Sequence, residues 1–93
     1  MRHLLLLLLA TVLAPATGRA LEVNEATRAQ LEQLSGLGVV RVERILRERE
    51  RAPFQSWDDL QARVKGIGRA GAEKLGAQGL TVNGSAPQVK RKP

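Results

Sequence analysis

Apolar and polar positions follow one another along this chain in blocks of different rhythm. Residues 4–9 form an unbroken leucine run, extended by Ala10, Thr11, Val12, Leu13 and Ala14. Beyond it, apolar residues return at helical spacing. Thr27-Arg28-Ala29-Gln30 matches a capping box, with Thr27 as N-cap and Gln30 reaching back. Leu31 and Leu34 continue the helix it opens, which stops at Ser35-Gly36-Leu37-Gly38. A longer helix is predicted over residues 39–51. Val42, Ile45, Leu46 and the aliphatic stem of Arg49 share one face, and Arg41, Arg44 and Glu48 another. Glu43 precedes Arg47 by four residues, a favourable exposed pair. Ala52-Pro53 ends that helix. Ser56 is placed to cap a third helix, and Asp58 and Asp59 suit the positive end of its dipole. Leu60 and Val64 carry it to Lys65-Gly66-Ile67-Gly68. A short fourth helix over residues 69–75 is expected to stop at Gly76. Leu80-Thr81-Val82 is expected to pack back as an extended end. The pattern predicts a small all-α domain of about four helices.

The two ends of the chain differ from its middle. Met1-Arg2-His3 is a short basic start, followed by the leucine run, Pro15, and small residues ending in Gly18-Arg19-Ala20. This is the charged, apolar, small-residue order of a secretory signal peptide. Cleavage is expected after Ala20, with Ala14-Pro15-Ala16 as the second candidate. The apolar stretch of about 11 residues is well short of the roughly 20 that span a bilayer. A periplasmic or secreted protein follows, with no stable membrane insertion after cleavage. Residues 83–93 lack apolar periodicity and read as a disordered basic tail. Its Lys90-Arg91-Lys92 serves either as a solubilising end or as an electrostatic arm. The folded domain is then residues 21–82.

Composition narrows the chemistry. Of the 93 residues, 15 are Lys or Arg and 9 are Asp or Glu, a formal charge of +6. There is no cysteine, which excludes disulfides, thiol nucleophiles and Cys-based zinc sites. The single histidine is His3, inside the leader, so the domain carries no histidine for acid–base work. Asp58 and Asp59 are adjacent and point to different helix faces, which suits helix capping rather than catalysis. No cofactor is implied, and the chain is read as a non-enzyme. The charge first suggests an anionic partner. Residues 21–82, however, hold 10 basic and 9 acidic side chains, so the surplus lies in the two ends. Phe54 and Trp57 are too few for a single-strand stacking platform and read as a core plug.

The candidate chemistry lies in an internal repeat. At a shift of 30 residues, Leu34 meets Val64, Gly36 meets Gly66, Leu37 meets Ile67, and Gly38 meets Gly68. Val42 likewise meets Ala72, Glu43 meets Glu73, Arg44 meets Lys74, and Ile45 meets Leu75. The domain therefore holds two copies of helix, Gly-aliphatic-Gly turn, helix. The first glycine of each turn supplies a positive φ. Leu37 or Ile67 turns inward and pins the helices. The second glycine opens the next helix and leaves backbone N–H groups bare at its positive end, where a phosphate fits. Two such turns can hold phosphates on both strands of a duplex, contacts that position without reading sequence. The alternative is a turn that serves packing alone. Arg41, Lys65 and Arg69 flank the turns, and each is either a phosphate contact or a solvated cation.

These residues carry a family resemblance. Val23-Asn24, Leu31-x-x-Leu34-Ser35-Gly36-Leu37-Gly38, Pro53-Phe54-x-Ser56-Trp57-Asp58-Asp59-Leu60 and Val64-Lys65-Gly66-Ile67-Gly68 together resemble the ComEA-type helix-hairpin-helix proteins of DNA uptake. The resemblance spans nearly the whole domain. It implies two tandem helix-hairpin-helix motifs and sequence-independent binding of double-stranded DNA. The DNA-binding residues would be Gly36, Leu37, Gly38, Val40, Arg41, Lys65, Gly66, Ile67, Gly68, Arg69 and Ala70. It further implies a DNA receptor in natural transformation, with DNA-uptake machinery proteins as further partners. Hairpins of this type sometimes hold a monovalent cation on turn carbonyls. No other metal is expected. The chain departs from the pattern in places. Ser35 stands where the family usually has Pro, as do Val39 and Arg69. Val40 and Ala70 stand where Lys is common, and Val42 replaces a packing Ala. Gly71 inside the last helix costs about 1 kcal/mol relative to Ala. The rival function is a protein-interaction module that uses the same fold to dock a partner in a secretion or uptake machinery.

Overall fold

A computed structural model describes residues 20–88. The expected leader, except for Ala20, lies outside the described residues, and so does Lys90-Arg91-Lys92. The elements in order are β1 (Leu21–Glu22), α1 (Arg28–Glu32), α2 (Gly38–Arg51), α3 (Trp57–Arg63), α4 (Arg69–Ala77) and β2 (Leu80–Thr81). The four helices stand where the apolar rhythm places them. Among the described residues, no helix is long and apolar enough to cross a membrane.

Local chemistry sets the helix starts. Thr27 Oγ1 accepts from Gln30 N at 3.1 Å, and the Gln30 side chain accepts from Thr27 N at 2.9 Å. This is the expected capping box, and it lets a helix of only five residues form. Ser56 Oγ accepts from Asp59 N at 3.0 Å to open α3. Asp59 in turn accepts from Gln55 N at 2.9 Å and from Arg63 Nη1 at 3.0 Å. Its carboxyl sits below the ordinary aspartate value. The Gln55 amide is the main cause, burial opposes it, and Arg63 adds to it.

The helices close on an apolar core. Leu31, Leu37, Val42, Ile45, Phe54, Leu60 and Val64 are fully buried, and Leu34 and Leu46 pack against them. Phe54 and Trp57 belong to this core, as expected for a plug. Trp57 Nε1 donates to Ser85 O at 2.8 Å. Arg49 does more than lend its stem. Its Nη1 donates to Val23 O and Ala26 O at 2.9 and 2.8 Å, tying the entry loop to α2. Glu43 does pair with Arg47, at 3.9 Å, but its close partner is Arg28 of α1, at 2.7 Å.

At three places the structure departs from the sequence expectation or sharpens it. First, α4 runs through Gly76 to Ala77, and the positive-φ residue that follows is Gly79, at φ 105°. Gly76 is needed for another reason: a Cβ there would collide with the Pro87 ring. Second, the expected extended end forms at Leu80 and Thr81, and its unforeseen partner is Leu21 and Glu22, in a parallel two-stranded ladder. Third, Asn83 to Ser85, at the start of the expected tail, are tied to the domain. Asn83 Nδ2 donates to Phe54 O and Gln55 O, and Val82 bridges Ser85.

One carboxylate draws the two ends together. Glu22 accepts from Asn83 N and Gly84 N, both at 2.9 Å, from Thr81 Oγ1 at 2.9 Å, and from Asn24. Its partial burial raises the pKa. The amides of Asn83 and Gly84, the Thr81 hydroxyl and the Asn24 amide outweigh that and lower it. Asn24 continues the link. Its Oδ1 accepts from Phe54 N at 2.8 Å and its Nδ2 donates to Phe54 O at 3.0 Å. Two distant parts of the motif pattern, Val23-Asn24 and Pro53-Phe54, are thus halves of one contact.

Candidate nucleic-acid interface

The two turns of the repeat join α1 to α2 and α3 to α4. In both, the first glycine takes the left-handed conformation that L side chains rarely adopt: Gly36 at φ 89° and Gly66 at φ 99°. In both, the central aliphatic turns inward. Leu37 is fully buried and Ile67 almost so. Pinning the turn to the core in this way holds the start of the next helix rigidly at the surface.

The second glycines differ. Gly68 is the N-cap of α4, with extended backbone at φ −94° and ψ −167°. Its carbonyl accepts from Ala72 N at 2.9 Å, the first bond of the helix. Nothing lies within 4 Å of where its Cβ would be. The N–H groups of Arg69, Ala70 and Gly71 have no partner inside the helix, as at any helix start. Gly38 instead takes φ 80°, so the first turn uses two left-handed glycines. Leu37 stands at the N-cap of α2 in helical conformation, and its carbonyl accepts from the Arg41 side chain at 3.2 Å. The repeat is therefore close in sequence but not in backbone geometry.

Side chains follow this difference. Lys65, Arg69 and Ala70 are exposed around the second turn. At the first, Val39 and Val40 are 67% and 78% exposed, which is unusual for large apolar groups in this domain. Arg41, which follows the first turn in sequence, is half-buried and lies against Gly66 of the second. Lys74 of α4 lies over Gly36 of the first. The eleven residues expected to bind DNA thus gather at the two turns. Leu37 and Ile67 are too buried to touch a ligand and serve to position the turns. Lys74 was not expected there, since in sequence it is an ordinary exposed helix residue.

Ser35, where the family usually has Pro, has a use for its N–H. That N–H donates to Gln78 Oε1 at 2.8 Å, and Gln78 Nε2 donates to Ser35 O and Lys74 O at 3.0 and 3.1 Å. Proline would remove the first of these bonds. The clamp fastens the end of α4 to the first turn and so fixes the two hairpins relative to each other. Among the described residues, no group of acidic or histidine side chains is arranged to hold a metal ion.

Four short helices, pinned by two glycine turns on one core, define a tandem helix-hairpin-helix domain. A helix-hairpin-helix motif family model matches residues 17–78, two thirds of the chain. The chain belongs to that family, and the motif points to nucleic-acid binding in general. No curated protein and no solved structure matches it.

Proposed function

We propose that this protein binds double-stranded DNA without sequence preference, gripping phosphates through the bare helix starts behind its glycine turns. The observation that carries this is the second turn. Gly68 caps the nine residues of α4 with open space around it, and Lys65 and Arg69 stand exposed on either side. Backbone N–H groups, helix dipole and cations converge there on one place, which suits a phosphate and reads no base. The near balance of charge over residues 21–82 favours a few placed contacts over a diffuse cationic surface.

The ComEA-type resemblance extends the proposal to a setting. The leader pattern of residues 1–20 supports export and cleavage, and a small basic DNA binder outside the cytoplasm suits a receptor in natural transformation. Binding, not catalysis, is its activity. The test is a gel shift of the protein lacking residues 1–20 on unrelated duplexes over a range of salt. Similar affinities are expected, with log affinity falling linearly in log salt by about 0.9 per phosphate held. No shift at low salt would refute DNA binding. Tight binding to an uptake or secretion protein that ignores salt would favour a protein-docking role instead. Exported protein whose N-terminal sequence begins at Met1 would refute the leader.

A further inference from the structure

Among the described residues, three arginines are half-buried: Arg41, Arg49 and Arg63. Two of them are committed to the fold. Arg49 donates to two loop carbonyls at 2.8 and 2.9 Å. Arg63 donates to Glu48 O at 2.6 Å, to Ala52 O at 2.8 Å and to the carboxylates of Glu48 and Asp59, with its guanidinium 4.4 Å from the Phe54 ring centre. Arg41 is different. Its single bond is from Nη1 to the nearby Leu37 carbonyl, at 3.2 Å. Its Nε is sealed from solvent and has no partner at all. A buried donor left unpaired is a standing cost, and one in a native fold asks for an explanation.

Its position supplies one. A Cβ on Gly66 would fall 2.6 Å from Arg41 Nη2, 2.8 Å from Cζ and closer still to Nε. Arg41 therefore reaches across to the second hairpin, while its Nη1 still holds the Leu37 carbonyl of its own. Lys74 makes the reverse crossing: its Cδ, Cε and Nζ lie 3.5, 3.8 and 3.9 Å from the Cβ position of Gly36. In the repeat register Arg41 aligns with Gly71 and Lys74 with Arg44, so the exchange has no counterpart in the sequence symmetry.

We propose that the cations act crosswise, Arg41 as a phosphate ligand of the second hairpin and Lys74 as a phosphate ligand of the first. This rests on the DNA-binding function above. A phosphate at the start of α4 offers charged acceptors to a guanidinium that has few of its own. Bonds of that kind are stronger than the one neutral carbonyl contact it would give up. Glycine at 66 is then required twice over, for its positive φ and to leave room for this side chain.

A double-mutant cycle on a short duplex, read by fluorescence anisotropy, tests the crossing. Val40 and Ala70 occupy equivalent exposed positions at the two helix starts, so Val40→Glu and Ala70→Glu each repel phosphate from one hairpin. Arg41→Gln should weaken binding about tenfold or more. It should also reduce the salt slope by about 0.9, which a purely structural residue would not do. Its effect should vanish in the Ala70→Glu background and persist in the Val40→Glu background. Lys74→Gln should show the opposite pairing. Coupling of Arg41 to Val40 instead, additivity throughout, or an unchanged salt slope overturns the proposal while leaving DNA binding intact. Wild-type protein that binds no duplex overturns both. Should Arg41→Gln fail to fold, the wild type still decides. The Arg41 side-chain Nε–H resonance should move as duplex is added, and a resonance that stays put while the amides of residues 68–70 move rules Arg41 out.

Discussion

Gly68→Asp places a carboxylate where the bound phosphate would sit, and it does so without disturbing the fold. The φ of −94° is open to any residue, and no atom lies within 4 Å of the new Cβ. Aspartate is also a better N-cap than glycine by a few tenths of a kcal/mol, and its charge suits the helix start. The melting temperature should therefore stay level or rise slightly. Binding should behave very differently. Two like charges about 4 Å apart repel by about 1 kcal/mol in bulk water and about 4 kcal/mol at the effective dielectric of a protein surface. That corresponds to an affinity loss between about fivefold and about a thousandfold. Thermal melts and anisotropy on the same samples separate the two effects. Gly68→Asn, which can cap without charge, is the control and should lose much less. A Gly68→Asp variant that melts and binds like the wild type refutes phosphate capture at this turn. Gly38→Asp is not an equivalent experiment, since φ 80° strains a side chain there and a loss of binding would mix backbone strain with charge repulsion.

Other positions test the architecture. Glu22→Gln replaces a carboxylate that draws in several donors with an amide that opposes some of them, and should cost about 2 kcal/mol in chemical denaturation. Glu22 also sets a pH dependence. Its folded pKa lies below the ordinary 4.5, so its contribution is complete above that value and is lost as pH falls through the folded pKa. Stability of the wild type should therefore fall below about pH 4.5, and the Gln variant should lose that part of the slope. Gly71→Ala should stabilise by about 0.5–1 kcal/mol, since its Cβ would make only an ordinary 3.9 Å contact with Ile67. A lower melting temperature would contradict this. Gln78→Ala removes two hydrogen bonds between the end of α4 and the first turn and a third back to Lys74 O, and should cost about 1–2 kcal/mol, with exposure limiting the loss.

The helices and turns of this domain were legible because their signals are local. A capping box at Thr27, a cap at Ser56 and glycines on either side of Leu37 and Ile67 each act within a few residues. What escaped the sequence depends on distant partners. The extended end at Leu80-Thr81 could be read, but its partner Leu21-Glu22, a strand of two residues, shows no alternation to read. The hold of Glu22 on Asn83 and Gly84 spans some sixty positions, beyond the reach of a local pattern. Gly76 resembled a helix stop because its actual constraint, the Pro87 ring, lies outside the helix. At the interface, both turns could be placed but not told apart. The differing backbone of Gly38 and Gly68, and the crossing of Arg41 and Lys74, arise only when the two repeats pack together.

The parallel pairing of β1 with β2 has a mechanical side. The domain starts at β1, and β2 leads into residues 82–88, so a pull on the two ends reaches the ladder once the contacts of residues 82–88 give way. A pull on the two ends, such as tension between a surface attachment and a bound polymer, would run along the ladder rather than across it. The Leu21-to-Gly79 and Val23-to-Thr81 bonds would then bear the load together instead of opening one at a time. The Glu22 carboxylate beside them would add its contact with the Thr81 hydroxyl to the same front. A domain of this size closed by so short a ladder would resist stretching more than its helix packing alone would allow.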